Sequence, residues 1–269
     1  MTRITCALAA VLSLAFTPLD AQNFLQKGID AYEVGDYARA IKELTPLADQ
    51  GDVDALNILG YLHESGQGVP QDYVKAMSLY RLAADQGFAI GQNNLGTMYL
   101  KGQGVPKNYP QALKWYRLAA EQGYARAQAE LGYMYRSGEG VAQDYAEGMK
   151  WYRLSAEQGH VNAQKKYCDG WLSGRLSDRL WKMASLQMVS DCFNYGADVN
   201  ARNEDGDTPL HSAATESKNP EFLTVLLEAG ADGRAINERG KTPFQDARAS
   251  NRALRGTDAY WALNDARFE

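Results

Sequence analysis

Apolar residues recur every three or four positions over two neighbouring stretches near the middle of the chain, residues 90–101 and 110–122. This spacing places them on one face of a helix, so each stretch is predicted to be an amphipathic helix. The connection between them, residues 102–108, includes two glycines and a proline, which no helix crosses easily. The buried stripe of the second helix is predicted to consist of Ala112, Tyr116, Ala119 and Ala120. A helical hairpin is therefore the predicted structural unit.

The sequence pattern of this hairpin occurs three times along the chain. A Leu-Gly pair occurs at residues 59–60, 95–96 and 131–132, and a run from Tyr-Arg-Leu to Gln-Gly occurs at 80–87, 116–123 and 152–159. Both motifs recur at steps of 36 residues. A period of this size indicates stacked supersecondary units, because one hairpin cannot bury its apolar face alone. Within a unit, Gly96 is expected to admit a neighbour's backbone, and the ring of Tyr116 to fill the gap between hairpins.

The repeat pattern changes at both ends of this region. Residues 24–50 predict a shortened hairpin whose connection is only Val34-Gly35-Asp36, and terminal repeats are usually atypical because one side faces water. A fourth hairpin opens at Val161, and the pattern ends near Gly174. The helical-repeat domain is therefore predicted over residues 22–175.

These motifs resemble the Sel-one-like repeat (SLR), a relative of the tetratricopeptide repeat. The second and third copies follow the family pattern from Leu-Gly to Ala-Ala-Glu-x-Gly nearly throughout. The departures are His63 for a tyrosine, Ala142 for a proline and Gly148 for an alanine. The glycine is expected to weaken its helix by about 1 kcal/mol. The resemblance implies an all-α solenoid of stacked hairpins that serves as an adaptor for other proteins.

A second repeat system follows, with a step of 34 residues. Gly196-Ala197-Asp198 returns at residues 230–232, and a Gly-Asp-Thr-Pro-Leu-His run at 206–211 returns as Gly-Lys-Thr-Pro-Phe-Gln at 240–245. This stretch resembles ankyrin repeats, whose period is about 33 residues. The fold class implied for the whole chain is therefore all-α, with the SLR array continued by a short ankyrin array over residues 176–255.

The ankyrin-like units carry their own helix signals. Thr208 and Thr242 each precede a proline, and they are expected to cap helices that open with that proline. The buried face of the helix between them is predicted to consist of Val225, Leu226 and Leu227. Because fewer than three full repeats are marginal, residues 256–269 are predicted to form a capping helix. The side chains available for burial there are Tyr260, Trp261 and Leu263. The other end of the array is expected to dock on the fourth hairpin, with Trp181 closing the stack.

The first 21 residues are predicted to be a signal peptide. Arg3 supplies a positive start, and residues 4–16 form an apolar run interrupted by one threonine and one serine. Its length suits a signal-peptide core and falls short of the ~20 residues that span a bilayer. The alternative is a first apolar helix of the folded domain. Cleavage after Ala21 would give an exported protein, periplasmic or secreted, without stable membrane insertion.

Charge and cysteine content narrow the set of partners. The chain has 28 Lys and Arg residues against 33 Asp and Glu residues, a net charge of −5. No basic run stands out, so a nucleic-acid partner is not expected. Export would leave two cysteines, Cys168 and Cys192, and an oxidising compartment would permit a disulfide between them. Alternatively both thiols are free and buried, since cysteine also packs as a small hydrophobe.

No catalytic constellation stands out in the sequence. No Cys/His cluster has the spacing of a zinc site, and no glycine-rich loop follows a strand pattern. His63 takes a repeat tyrosine position and is expected in the core or a groove, while His160 follows a repeat-ending glycine. His211 matches the ankyrin histidine that, by resemblance, braces loops. An enzymatic activity, a cofactor and a bound metal are therefore not expected.

The surface predicted to bind a partner is the concave face that curved helical stacks present. Helical geometry directs the positions two before, two after and five after each repeat leucine toward it. The partner-binding residues predicted in this way are Asn57, Tyr61, Glu64, Asn93, Thr97, Leu100, Tyr133, Arg136, Lys165 and Asp169. The tips of the ankyrin-like loops, residues 203–205 and 237–239, form a second candidate surface.

The favoured hypothesis is a non-enzymatic interaction protein of the bacterial cell envelope that docks a peptide segment or a helix of another protein. The alternative is a glycan-binding or hydrolytic SLR protein. Some cysteine-rich SLR proteins were once assigned hydrolase activity, but this chain lacks their paired cysteines in each repeat. A third hypothesis is that the protein is a structural spacer without a saturable partner. The sequence leaves the oligomeric state and the identity of the partner open.

Overall fold

In the computed structural model of the protein, residues 18–172 and 185–268 are described, and every regular element in these ranges is an α-helix. The helices are α1 (Pro18–Glu33), α2 (Tyr37–Ala48), α3 (Val53–Ser65), α4 (Tyr73–Asp85), α5 (Ala89–Lys101), α6 (Tyr109–Glu121), α7 (Ala125–Ser137), α8 (Tyr145–Glu157), α9 (Val161–Leu172), α10 (Leu186–Asn194), α11 (Pro209–Glu216), α12 (Glu221–Glu228), α13 (Pro243–Ser250) and α14 (Asp258–Asp265). The predicted all-α fold is confirmed, and α5 and α6 lie within one residue of their predicted bounds. Residues 1–17 of the predicted signal peptide and the predicted domain boundary lie outside the described residues.

Local sequence sets the ends of the repeat helices. The second helix of each SLR hairpin begins after a side chain that accepts a hydrogen bond from the backbone three residues on, as Asn108 Oδ1 does from Gln111 N at 3.0 Å. The first helix ends at a glycine in the left-handed region, such as Gly102 with φ 72°. A residue without a Cβ adopts this conformation at little cost, so the chain turns sharply into the connection.

The chain forms two compact units, and the division along the chain falls between Gln122 and Gly123. The N-terminal unit contains α1 to α6 as three hairpins. The C-terminal unit contains the hairpin of α7 and α8, helix α9, and the ankyrin-like helices α10 to α14.

Within the N-terminal unit, a tyrosine ring fills each SLR hairpin. Tyr80 and Tyr116 are fully buried, and each lies over the glycine of the Leu-Gly pair in its own hairpin. A Cβ built on Gly96 would lie 2.9 Å from Cδ1 of Tyr116. The expectation that Gly96 admits a neighbour's backbone is therefore wrong: it admits this ring. The ring also lies inside the hairpin rather than between hairpins, since its hydroxyl is 3.0 Å from Thr97 Oγ1 on the partner helix.

Buried glutamines link successive hairpins into what we call the glutamine ladder. In the N-terminal unit, Gln92 Nε2 on α5 donates to the Ala84 carbonyl of the previous hairpin at 3.3 Å. Its Oε1 accepts from Gln122 Nε2 of its own hairpin at 2.8 Å. The C-terminal unit has the same two kinds of bond: Gln158 to Gln128 at 2.8 Å, and Gln164 to the Ala156 carbonyl at 3.2 Å. The ladder satisfies polar groups that stacking would otherwise bury without partners.

The C-terminal unit joins both repeat types in one core. Buried side chains of the SLR-like part, including Tyr152 and Tyr167, belong to the same hydrophobic cluster as Leu226 and Leu263 of the ankyrin-like part. Helix α9 packs directly on α10. The expected docking of the ankyrin array on the fourth hairpin is therefore confirmed, whereas Trp181 lies outside the described residues.

The ankyrin-like helices follow most of the predicted signals. Thr208 and Thr242 each form a capping box at the start of a proline-opened helix. The predicted buried face of α12 needs correction: Leu226 is buried, but Val225 and Leu227 are half-buried. Three consecutive residues cannot share one face of a helix, and the face is completed by Phe222 and Leu223 instead.

The predicted C-terminal capping helix is present as α14. It begins after Thr257, whose side chain caps it, and it buries Tyr260 and Leu263. Trp261, which was also expected to be buried, is 54% exposed. The two buried positions are three residues apart and share one helix face, whereas Trp261 points about 100° away from Tyr260.

Candidate binding surface

The predicted partner-binding residues fall into groups that differ in exposure. Tyr61 on α3 and Tyr133 on α7 are 42% and 43% exposed, and Lys165 on α9 is exposed. The two tyrosines occupy equivalent positions two repeats apart. The side chain of Asp169 lies outside the described part of the chain. The exposed sides of α3, α5 and α7 are called the first-helix face below, and it is considered for each unit separately.

The positions two residues before each repeat leucine do not belong to an open surface. Asn93 is only 1% exposed, so its assignment as a partner-binding residue is wrong. Asn57 is half-buried, and its Oδ1 accepts a hydrogen bond from Asn94 Nδ2 of the next hairpin at 2.9 Å. Stacking of one hairpin on the next covers this side of the first helix, which a helical wheel of a single helix does not show.

The predicted binding residues of the middle repeat, Thr97 and Leu100, are less exposed than the two tyrosines. Thr97 takes the position of the exposed tyrosines, but it is half-buried and its hydroxyl lies 3.0 Å from that of Tyr116. Leu100 is also half-buried. The exposed aromatic residues of the first-helix face therefore lie on α3 and α7, and not on α5.

Three tyrosines and one carboxylate meet at the start of the N-terminal unit. This tyrosine–glutamate cluster consists of Tyr32, Tyr61, Tyr80 and Glu64. The rings of Tyr32 and Tyr61 lie edge to face, with centroids 6.0 Å apart and an angle of 86°. Buried Tyr80 donates a hydrogen bond from its hydroxyl to Glu64 Oε2 at 2.8 Å. The cluster draws on α1, α3 and α4, so it exists only because these helices pack together.

The surroundings of Tyr32 and Tyr80 disfavour the ionised form of their hydroxyl groups. Burial raises the pKa of Tyr80, and the nearby Glu64 carboxylate raises it further. Burial likewise raises the pKa of Tyr32, with smaller contributions from Tyr61 and Tyr37. The Tyr80 hydroxyl therefore stays protonated and donates its hydrogen bond to the Glu64 carboxylate.

Sequence analysis selected Tyr61 and Glu64 as partner-binding residues but missed Tyr32 and Tyr80. Tyr80 belongs to the repeated core stripe, which gives no sign that its hydroxyl reaches a surface carboxylate. Tyr32 lies in the shortened first hairpin, where the repeat phase provides no alignment. The aromatic character of both positions was the only available signal.

The predicted residues of the C-terminal unit lie on or beside α7. Tyr133 donates a hydrogen bond to Glu139 Oε1 at 3.2 Å. Arg136 is half-buried and donates to the Lys166 carbonyl at 3.4 Å, which ties α7 to α9. Arg136 therefore has a structural role within the hairpin stack, while the ring of Tyr133 remains exposed.

One group of side chains has the composition of a metal site. Oxygen and nitrogen atoms of Asp207, His211 and Asp246 lie within 4.8 Å of one another. Their hydrogen bonds explain the arrangement without a cation: Asn237 Nδ2 donates to Asp207 at 2.6 Å and to Asp246 at 2.8 Å. Arg239 pairs with both carboxylates, at 3.0 and 3.4 Å. Lys241 Nζ lies 3.6 Å from Asp246 Oδ1, so two cations face the two carboxylates in a network that links two ankyrin loops.

This network also corrects the second candidate surface at the ankyrin loop tips. Asn237 is 5% exposed, so it supports the loops and does not face a partner. His211 braces them as the ankyrin resemblance implies, with Nδ1 2.9 Å from Thr208 Oγ1 and Nε2 3.0 Å from the Lys241 carbonyl.

The other two histidines also lie in structural settings. His160 Nδ1 accepts a hydrogen bond from Ala163 N at 3.3 Å, at the start of α9. His63 is half-buried on α3, as expected for a core or groove position. In the described ranges, no helix combines the length and the apolar character needed to cross a membrane.

Comparison with known proteins agrees with the two repeat types. Residues 53–88, 89–124 and 125–160 match the Sel1 repeat, and residues 178–227 match the family described as ankyrin repeats (many copies). A search of curated proteins found no significant match.

The solved structures that are similar to this chain include two repeat proteins. The Sel1 repeat protein from Oxalobacter formigenes is 29% identical with a TM-score of 0.57, and the match covers 77% of this chain and 85% of that chain. The protein c5321, a protective antigen of uropathogenic Escherichia coli with an SLR fold, is 26% identical with a TM-score of 0.57. That match covers 92% of this chain but only 53% of c5321, so this chain spans about half of the antigen's length. From these matches and the stacked hairpins, the chain contains three Sel1 repeats followed by ankyrin repeats.

Proposed function

We propose that this protein is a non-enzymatic adaptor of the bacterial cell envelope that binds another protein through the exposed first-helix tyrosine of each unit, Tyr61 in the N-terminal unit and Tyr133 in the C-terminal unit. Sel1-type and ankyrin repeats generally act as protein-interaction scaffolds. The observation that carries the proposal is the exposure of Tyr61 and Tyr133 at equivalent repeat positions, 42% and 43%. Tyrosine is enriched among the residues that contribute most to protein interfaces.

The two sides of the hairpins allow a controlled crosslinking experiment. A photoreactive phenylalanine analogue would replace Tyr61 or Tyr133, or else Leu82 or Leu154, which lie on second helices and are 55% and 44% exposed. In living cells we expect a partner protein to be captured from the tyrosine position of each unit and not from the leucine position of the same unit, Leu82 in the N-terminal unit and Leu154 in the C-terminal unit. Capture from all four positions with equal yield would contradict a role for the first-helix face.

Binding of the captured protein can then be measured with purified components. Tyr61→Ala and Tyr133→Ala are each expected to weaken the complex about tenfold or more, because truncating an interface anchor typically costs over 1 kcal/mol. Leu154→Ala, which removes a side chain of similar exposure, should leave the affinity unchanged. Unaltered affinity in both tyrosine variants would refute the proposed surface.

Placement in the envelope has its own test. Cell fractionation and mass spectrometry of the mature protein should find it outside the cytoplasm with Gln22 at its N-terminus. A full-length cytoplasmic protein would exclude the envelope role while leaving the adaptor role intact. Saturable binding of an envelope glycan at Tyr61 would instead support a glycan-binding function.

A further inference from the structure

We propose that the tyrosine–glutamate cluster of the N-terminal unit is a binding site for the lysine or arginine side chain of a basic peptide segment. This inference rests on the proposed function and specifies the chemistry of the partner. It draws on three independent features of the described residues: ring geometry, a positioned carboxylate and the local distribution of charge.

The ring geometry leaves aromatic surface for a cation. Tyr32 and Tyr61 meet edge to face at 86°, and in such a pair at most one ring face is covered by the other ring's edge. Tyr61 is 42% exposed. A cationic side chain is attracted to the electron-rich face of an aromatic ring, so this exposed corner suits the end of a lysine or arginine.

The carboxylate of Glu64 lies three residues after Tyr61, on the same side of α3, and it is held there by a buried partner. Glu64 Oε2 accepts the hydrogen bond from Tyr80, and this contact fixes the side chain of Glu64 at the cluster. Among the described residues, Glu64 Oε1 accepts no side-chain hydrogen bond, which leaves one oxygen for an incoming donor. A positioned anion next to a ring face provides a charge-assisted hydrogen bond as well as a cation–π contact.

The charge of the surrounding sequence favours a basic partner. Residues 22–72, which contain most of the cluster, carry nine acidic and three basic residues, a net charge of −6. Residues 73–122, the rest of the same unit, carry two acidic and six basic residues, a net charge of +4. The excess of acidic residues is therefore confined to the part of the unit that contains α1, α2 and α3. This negative charge attracts a cationic segment and repels an acidic one, and it provides no net electrostatic attraction for a neutral glycan.

The site is particular to one repeat. The positions equivalent to Glu64 are Leu100 and Arg136, which are apolar and cationic. A general feature of the repeat fold would recur at all three positions. Among the three Sel1-type hairpins, binding of a cation is therefore assigned only to the one that contains Glu64.

Fluorescence anisotropy with the purified mature protein tests the proposal. The probe is a short labelled peptide with lysines spaced by glycine and serine, and the matched peptide has norleucine in place of lysine. We expect the lysine peptide to bind, and the norleucine peptide to bind about tenfold more weakly or not at all. Equal binding of both peptides would overturn the proposal.

Variants of the protein separate the site from general charge attraction. Glu64→Gln should weaken binding of the lysine peptide about fivefold to tenfold, because glutamine keeps an acceptor for Tyr80 but removes the charge. Glu121→Gln removes the same charge from an exposed position elsewhere in the unit and should have little effect. Equal losses in the two variants would show diffuse attraction and overturn the assigned site.

Ring chemistry is tested at Tyr61. Tyr61→Phe keeps the aromatic face and should bind within about twofold of the natural protein, whereas Tyr61→Leu should bind about fivefold more weakly. Equal affinity of the two variants would overturn the role of the ring.

If the lysine peptide fails to bind while the crosslinks at Tyr61 and Tyr133 persist, the cation site is refuted and the proposed adaptor function stands. If the crosslinks are absent, the adaptor function falls as well.

Discussion

At the scale of single residues, one buried histidine connects the two ankyrin repeats. His211 lies at the third position of α11 and contacts both Thr208 and the Lys241 carbonyl. Burial lowers the pKa of His211, and this effect is opposed by the hydrogen bond to the Lys241 carbonyl and by Asp207. The imidazole is therefore neutral in the folded protein at neutral pH.

This setting predicts how stability depends on pH. Because the pKa of His211 is lower in the folded than in the unfolded chain, the unfolded chain takes up a proton first as pH falls below about 6.5. Stability from this residue is present above that pH and is lost below it. His211→Gln should make the loss shallower, since Gln245 already forms the same capping box at the equivalent position of α13.

Urea unfolding at pH 7.5 and pH 5 would measure this difference. The natural protein should lose more free energy of unfolding between the two pH values than the variant does. His63 and His160, whose pKa values are also lowered mainly by burial, are present in both proteins and cancel in the comparison. An identical pH dependence would contradict the assignment to His211.

At the scale of the hairpin, two facing glycines set the distance between α7 and α8. A Cβ built on Gly148 would lie 2.9 Å from the Gly132 carbonyl oxygen and 3.2 Å from Arg136 N. A Cβ on Gly132 would lie 2.8 Å from Cγ of Tyr152 and 3.0 Å from the Gly148 carbonyl oxygen. The glycine that breaks the family pattern therefore allows closer contact of two backbones.

Gly148→Ala is accordingly expected to destabilise the protein. Alanine would stabilise an isolated helix by about 1 kcal/mol, but here its methyl group would force α8 away from α7. We expect a net loss of about 1–3 kcal/mol, as is usual for overpacking in a core.

Chemical denaturation of three proteins would check this prediction. Lys150→Ala serves as a control on the exposed side of α8, where its side chain is 72% exposed. A change within about 0.5 kcal/mol is expected there. A Gly148→Ala variant that is more stable than the natural protein would show that the close backbone contact is not limiting.

At the scale of the whole molecule, the boundary between the two compact units does not coincide with the boundary between the two repeat types. The division between the two units falls between Gln122 and Gly123, inside the run of Sel1 repeats. The last Sel1 hairpin shares a core with the ankyrin helices, because neither short array can bury its end alone. Cys168 and Cys192, which are both buried, join the two repeat types through a disulfide with Cα atoms 5.5 Å apart.

The disulfide should stabilise the C-terminal unit selectively. It joins residues 24 positions apart, and a loop of that size corresponds to about 3 kcal/mol in the chain-entropy account. Replacing both cysteines by alanine should therefore increase hydrogen exchange in α9 and α10 and leave α1 to α6 unchanged. Equal exchange in the two proteins would contradict this role.

The oxidation state itself can be read by mass spectrometry. Alkylation of the mature protein under denaturing, non-reducing conditions should add no label, and prior reduction should allow two labels to be added. Labelling without reduction would show free thiols and favour the alternative left open by the sequence.

The fold was predictable because many positions recur in phase, so each copy checks the others. The helix caps at Thr208 and Thr242 were also predictable, because a cap depends only on the residues next to it in the sequence. The surface was less predictable. Asn93 has the helical phase of an exposed residue, but the next hairpin covers it. The cluster around Glu64 depends on Tyr32, which lies in a hairpin without a second copy for alignment.

The glutamine ladder has a consequence for how such chains can change in length. Gln92 offers one acceptor to its own hairpin and one donor to the hairpin before it, and Gln128 and Gln164 supply the same two halves elsewhere. Tandem duplication or loss of one 36-residue segment would bring an equivalent donor to an equivalent acceptor at the new junction. Recombination can therefore vary the number of repeats without leaving a buried glutamine amide that lacks a hydrogen-bond partner.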